Sequence, residues 1–313
     1  MRVSLYRLTF PSGFHLAPHE HELSVSETLP TIPADTLFSA LVQAWVRLGG
    51  DPHHWLDPFV RNEPPFLLTS CFPWAGGQPW FPKPLSFQPT REWKELRFLR
   101  EDVFISVAKG KAVHSKPDEL KQRFWEVQEL PRVSLDRCTS RSNLFVMARV
   151  RLVRDCGLWF GVAWLRPDLP CGQTAFREAF GQALAELGET GVGGDRNLGY
   201  GRFVFEHVDD VTWPDPRPEG FGVLLSRLWP NPQELELLRQ SQVWRFTEVG
   251  GFARTSEGRH VPRLRVRLVV EGSVVPAGIR GGLVNLAPPG FTPHPIWRYG
   301  LAFLYPWEVD HAP

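Results

Sequence analysis

At 313 residues and 42% hydrophobic content, the chain exceeds one ordinary domain and can fill one large core or two modest ones. Its 35 basic residues nearly cancel 34 acidic ones, which excludes a molecule coated in positive charge, so any nucleic-acid site must be a local concentration. Cys71, Cys138, Cys156 and Cys171 lie far apart with no C-x-x-C pair, and no apolar run approaches the roughly 18 residues of a membrane span. The expectation is a cytoplasmic protein outside any membrane, with no metal and no cofactor.

Residues 3 to 10 alternate in strand-forming side chains and stop at Pro11-Ser12-Gly13, which predicts a first strand. Leu37, Phe38, Leu41, Trp45 and Leu48 then line one helical face over 35 to 48, with Asp35 as the expected N-cap and Gly49 just beyond the end. A strand is predicted at 66 to 72. From 73 to 142 the pattern becomes irregular, as in an insertion carrying a short helix and a hairpin. Residues 144 to 153 alternate again, and Asp155-Cys156-Gly157 separates them from an apolar run at 158 to 165, which predicts two strands joined by a tight turn. Thr174 can cap a helix whose Phe176, Phe180, Ala183, Leu184 and Leu187 share a face, and Gly188 can end it.

The stretch 189 to 203, ETGVGGDRNLGYGRF, follows that helix and precedes another strand. Five glycines and two arginines fall within residues 191 to 203. Glycine permits positive φ and removes side chains that keep a phosphate off backbone amides. No G-x-x-x-x-G-K-[ST] occurs, and Arg196 stands where a G-x-G-x-x-G motif needs its third glycine. Together, residues 1 to 208 read βαβ(insertion)ββαβ, the order of a ferredoxin-like domain with an elaborated middle. A proline-rich acidic link, 209 to 218, precedes a strand-dominated half, 219 to 313, whose size suits a second, degenerate ferredoxin-like domain. The expected fold class is therefore α+β.

Arginine concentrates between 132 and 154, where Arg132, Arg137, Arg141, Arg149, Arg151 and Arg154 face one acid, Asp136. Arg263, Arg265 and Arg267 form a second row on a predicted strand over 261 to 270. Arginine contacts phosphate bidentately and stacks on bases, so both rows and the glycine stretch suit single-stranded RNA, with a solvated sheet face as the plain alternative. Histidines cluster at His15, His19 and His21 and pair at His53-His54, without the partners a metal needs. A lone His15 beside an RNA-binding sheet can act as a general base for RNA cleavage. The thirteen tryptophans are read mainly as core residues.

These residues resemble the RAMP superfamily of CRISPR systems, ferredoxin-like proteins with a glycine-rich loop between the second helix and the last strand. More narrowly, the chain is similar to the subunit that caps the five-prime handle of the guide RNA in the type III-A, or Csm, interference complex. IPADTLFSALVQAW (32 to 45), LPRVSLDRCTSRSNLF (130 to 145) and GLVNLAPPGFTPHPIWRYGLAFLYP (282 to 306) carry that match along with the glycine stretch. The resemblance implies a role without catalysis: gripping the crRNA handle, lying beside target RNA near it, docking the large polymerase-like subunit and starting the filament of backbone subunits. It implies a thumb-like hairpin within 73 to 142. It places Gly191, Gly193, Gly194, Arg196, Asn197, Gly199, Gly201 and Arg202 at handle phosphates, with Arg137, Thr139, Arg141 and His15 beside them. The family's H-x-G stands here as His15-Leu16-Ala17. Two further readings within the superfamily are an endoribonuclease that processes precursor guide RNA with His15 as base, and a capping subunit of the type III-B complex.

Overall fold

The computed structural model describes residues 1–18, 26–135, 142–254, 260–291 and 294–309. His19, His21, Cys138, Arg137, Thr139 and Arg141 lie outside these residues. The N-terminal part runs β1 (Arg2–Thr9), α1 (Ala34–Arg47), α2 (Pro52–Val60), β2 (Phe66–Leu68), β3 (Phe72–Ala75), β4 (Gln78–Pro82), α3 (Arg91–Glu95), β5 (Phe98–Arg100) and α4 (Glu101–Ala108). It continues with β6 (Trp125–Leu135), β7 (Ser142–Leu152), β8 (Gly157–Trp164), the two-residue strands β9 (Pro170–Cys171) and β10 (Thr174–Ala175), α5 (Phe176–Thr190) and β11 (Val204–Thr212).

One antiparallel sheet organises the molecule, in the order β11-β1-β8-β3-β4-β5, with β2 also pairing β8. Alternation on β1 sends Leu8 to one face and Val3 and Leu5 to the other, and both faces are covered. On the first face α1 and α5 bury Leu37, Phe38, Leu41, Phe180, Leu184 and Leu187 against Phe66 and Phe160. On the second, Phe81, Phe104 and Trp159 meet Trp213, Tyr305 and Trp307. The C-terminal half thus shares its largest cores with the N-terminal half; Tyr299 enters the first, 4.9 Å from the Phe38 ring, and its hydroxyl accepts from the Leu68 amide. Burial pushes the Tyr299 phenol well above its usual range.

Several expectations are corrected. The strand at 66 to 72 is two strands, β2 and β3, both laid on β8. Asp35 does not cap α1: Pro33 holds the N-cap position, and the fully buried Asp35 carboxylate sits 2.6 Å from Arg298 Nε and 3.8 Å from Arg227 Nη1. Helix α5 begins after Ala175, with the Thr174 hydroxyl bonded to the Glu178 carboxylate, and runs past Gly188 to end at Gly191. Gly188 is needed for packing instead, since a Cβ there would lie 2.8 Å from the Phe203 carbonyl oxygen. Asp209 and Asp210, read as the start of a link, belong to β11 and pair with Leu5 and Ser4.

The expected 144–153/158–165 hairpin does not form. Strand β7 pairs with β6 along all eleven residues, from Trp125↔Leu152 to Leu135↔Ser142, as a separate two-stranded ribbon. Strand β8, buried along nearly its whole length, takes the middle of the main sheet. Asp155, at φ 62°, makes the tight turn but not a hairpin. The irregular 73–142 stretch accordingly splits: β4 and β5 extend the main sheet, and β6 supplies half of the ribbon.

The C-terminal half is built of short antiparallel pieces: a three-stranded sheet of Val274–Pro276, Phe221–Leu224 and Leu304–Trp307, and three two-stranded pairs. The expected strand over 261 to 270 is broken into His260–Pro262 and Val266–Val269, which pair with different partners. Helix among the described residues of this half is a single turn, Leu235–Leu238, after a 3-10 turn. Eight tryptophans are buried core residues, and only Trp244 is exposed.

Candidate nucleic-acid interface

Most glycines of the stretch 191 to 203 are consumed by close packing within the chain. A Cβ on Gly201 would lie 1.9 Å from the Val192 carbonyl oxygen, one on Gly193 2.1 Å from that of His15, and one on Gly191 2.8 Å from that of Tyr200. Gly191, Gly193, Gly199 and Gly201 all adopt positive φ, as does Asp195 at 51°. Only Gly199 has open space where a side chain would be. The loop is thereby pinned to the turn after β1: the Gly201 amide donates to Gly13 O at 2.9 Å and the Gly194 amide to His15 O at 2.9 Å.

That turn is also pinned to the ribbon. Phe14 and Val150 exchange backbone hydrogen bonds of 3.0 and 2.8 Å, and the buried His15 donates from Nδ1 to Ala148 O at 2.8 Å. Residues 13 to 16 are therefore a strap between the glycine loop and the root of β7. In this position His15 is a structural residue, with one ring nitrogen committed to backbone.

What the packed glycines leave outward is the short 3-10 turn Arg196–Leu198. Arg196, Asn197, Leu198 and Arg202 are exposed, and neither arginine forms an ion pair with a described residue. Gly193 has positive φ and Asp195 is left-handed, which turns the chain into this exposed 3-10 turn.

Beside this turn is a cluster that sequence reasoning did not single out. Arg132 Nη2 on β6 and Arg149 Nη1 on β7 both donate to the Tyr200 hydroxyl, at 3.1 and 3.4 Å, and both guanidiniums lie within 6 Å of its ring centre. Arg149 Nη2 also donates to Gln128 Oε1 at 2.5 Å. The Nε atoms of both arginines are buried without a hydrogen-bond partner. Two half-buried cations share one neutral oxygen, and neither forms an ion pair among the described residues. Such a pair repels itself and leaves donors unsatisfied until an anion joins it. The signal in the sequence was a tyrosine set between two glycines of the loop, with arginines on the same ribbon face.

The second arginine row is different. Arg265 Nη1 lies 3.0 Å and Arg267 Nε 3.9 Å from the Glu248 carboxylate, Arg267 stacks on Phe246, and Arg263 Nε donates to Gly250 O at 2.7 Å. For this row the solvated, internally paired face is the better description. His53 is exposed with Asp57 3.4 Å away, and no group of described residues is arranged to hold a metal ion. Cys71, Cys156 and Cys171 are free and buried, and burial pushes the Cys171 thiol up to about 12.

The family model for the CRISPR Csm4 C-terminal domain matches residues 219–307. The chain is 28% identical to the Csm4 protein of Thermococcus onnurineus over 289 residues, covering 86% of this chain and 89% of that one. It is 24% identical to Csm4 of Streptococcus thermophilus over 325 residues, covering 99% and 100%. Residues 219–307 are thus a Csm4 C-terminal domain, and the chain is similar to Csm4 proteins along nearly its whole length. Among solved structures, the chain superposes on one in a Csm3–Csm4 subcomplex of the type III-A interference complex with a TM-score of 0.64 at 15% identity, covering 98% and 99% of the two chains. It also superposes on one in a Csm1–Csm4 cassette with AMPPNP, with a TM-score of 0.64 at 19% identity over the whole of both. These likenesses establish a shared fold. No helix among the described residues is long and apolar enough to cross a membrane.

Proposed function

We propose that the chain is a non-catalytic RNA-binding scaffold subunit of a type III-A CRISPR effector complex, gripping the five-prime handle of the guide RNA. The carrying observation is the junction where the strap 13 to 16 ties the glycine loop to the β6–β7 ribbon. There Arg132 and Arg149 converge without a counter-charge from a described residue, in the same junction as exposed Arg196 and Arg202. Four cations around the exposed turn Arg196–Leu198 suit a run of phosphates better than one small ligand. The exposed turn Arg196–Leu198, Gly199 and Arg202 form the grip, and Arg137, Thr139 and Arg141, which lie outside the described residues, extend it. The ribbon itself acts as the thumb that lies against paired target RNA near the handle.

The solved relatives join Csm4 to Csm1 and to Csm3, and near-complete coverage by both assemblies supports the same two contacts here: a large polymerase-like subunit and a backbone subunit. The four strands β11-β1-β8-β2 with α1 and α5 on one face support a ferredoxin-like reading of the N-terminal part, with the C-terminal part as its degenerate second copy and the chain cytoplasmic. The burial of His15 argues for scaffold over endoribonuclease, since a general base must reach the hydroxyl it deprotonates.

The test is salt dependence. Each single-strand phosphate contact contributes about 0.7 to the slope of log affinity against log salt, so R196A/R202A is expected to lower the slope by roughly one to one and a half. An unchanged slope and affinity removes the loop from the interface. Intact repeat RNA after metal-free incubation with the protein is the expected result for a subunit that does not cut.

A further inference from the structure

A second cationic site lies in a cleft of about 390 Å³ between the two halves of the chain. Residues 29 to 33 before α1 form one wall, the turn after β4 and the α3–β5 segment a second, and Arg227, Arg245, Thr247, Val270 and Glu271 the third. Lys83, Lys94, Arg97, Arg227 and Arg245 line it against one carboxylate, Glu271.

That carboxylate is already engaged: it accepts from Ser70 Oγ at 2.5 Å and lies 3.7 Å from Arg227 Nε. Arg227 is 8% exposed, and its Nε and Nη1 have no hydrogen-bond partner. Lys83, also 8% exposed, donates from Nζ to the Trp93 carbonyl at 2.6 Å, an uncharged acceptor. Burial, then Arg245 and Lys94, hold its ammonium below the usual lysine range. Lys94, Arg97 and Arg245 are exposed and form no ion pair with a described residue. Arg227 shares Glu271 and the buried Asp35, 3.8 Å from its Nη1, whereas the buried Lys83 forms no ion pair with a described residue; a buried cation without a counter-ion opposes folding, and a bound anion offsets that cost.

The cleft wall is tied to the glycine loop through one short segment. Leu16 donates its amide to Thr28 Oγ1 at 3.0 Å and accepts from the Leu29 amide at 2.7 Å, so the wall at 29 to 31 hangs from the strap whose His15 carbonyl holds Gly194. We propose that this cleft is a second phosphate-binding site of the chain, which receives the backbone of the same single-stranded RNA where it continues past the glycine loop. Lys83, Arg97, Arg227 and Arg245 meet its phosphates. The inference rests on the reading of the chain as a guide-RNA-binding subunit.

Its test uses the full-length protein and labelled single-stranded RNA of the sequence that co-purifies with it. Arg97→Ala with Arg245→Ala changes two exposed side chains, so the fold is retained, and is expected to lower the salt slope by roughly one to one and a half, adding to the effect of R196A/R202A. Lys83→Met is expected to weaken binding as well, with an unchanged circular-dichroism melt separating lost contact from lost fold. If R196A/R202A lowers the slope and R97A/R245A does not, the cleft proposal is overturned while the loop reading stands. If neither does, the RNA reading itself has failed. Retained RNA affinity with loss of a co-purifying subunit in R97A/R245A overturns the proposal too, because the cleft then serves an acidic protein surface.

Discussion

Two arginine rows in this chain look alike in sequence and differ in what they face. Arg265 and Arg267 lie beside Glu248, so that one carboxylate offsets part of their charge. Arg132 and Arg149 meet a phenol hydroxyl, and Arg196 and Arg202 form no ion pair with a described residue. The difference is one that a count of basic residues on one strand face does not register. What matters is whether a carboxylate lies within reach, because a paired guanidinium must give up one partner to gain another.

The largest expected effect comes from breaking the loop that presents the unpaired set. Gly201→Ala puts a Cβ 1.9 Å from a backbone oxygen at φ 75°. It costs at least the roughly 1–2 kcal/mol of a left-handed non-glycine residue, plus displacement of backbone that cannot yield. Loss of RNA binding together with a lower melting temperature is expected; a normal melt with normal binding contradicts the packing described for this loop.

Next in size is the direct contrast between the rows. R132Q/R149Q is expected to lower the RNA salt slope by roughly one to one and a half, and R265Q/R267Q to leave it within error of wild type. Equal effects of the two pairs erase the distinction.

A smaller effect is expected at Gly199, where a methyl group meets no neighbour but φ is 85°. Gly199→Ala costs about 1–2 kcal/mol of stability by backbone strain alone. An affinity loss beyond what that destabilisation explains, measured by titration at a temperature where the variant is fully folded, locates a phosphate against the bare backbone.

The smallest effect is an acid-sensitivity control on the sheet edge that leads out of the loop. Asp210 on β11 accepts from Ser4 Oγ at 2.6 Å, from Arg2 and from His207, and is held at about 2, chiefly by the Ser4 hydrogen bond. A depressed carboxyl stabilises the fold above its unfolded value near 4, and that contribution is lost as pH falls through about 2. Asp210→Asn is expected to melt slightly lower than wild type at pH 7, with the gap closing towards pH 2, and to leave RNA binding alone.

Local signals in the sequence were reliable where they were self-contained. The alternation of β1, the apolar face of α1 and the glycines around 191 to 203 each describe a structure that neighbouring residues decide. Partner choice was not legible. The turn at Asp155 to Gly157 has hairpin chemistry, yet β8 is buried on both faces and belongs in mid-sheet, while β7, exposed towards its tip, pairs with β6. Asp35 and Gly188 failed as helix punctuation for the same reason. Each meets a residue distant in sequence, Arg298 and Phe203, that no local window contains. Tyr200 escaped notice because its role exists only once the ribbon folds over the loop.

The most direct test of the central claim is photocrosslinking of the native complex, carrying 4-thiouridine-substituted guide RNA, followed by peptide mapping. Adducts within residues 191 to 202, with Tyr200 among them, are the expected result. Adducts confined to 263 to 267, with none on the loop or the ribbon, contradict it.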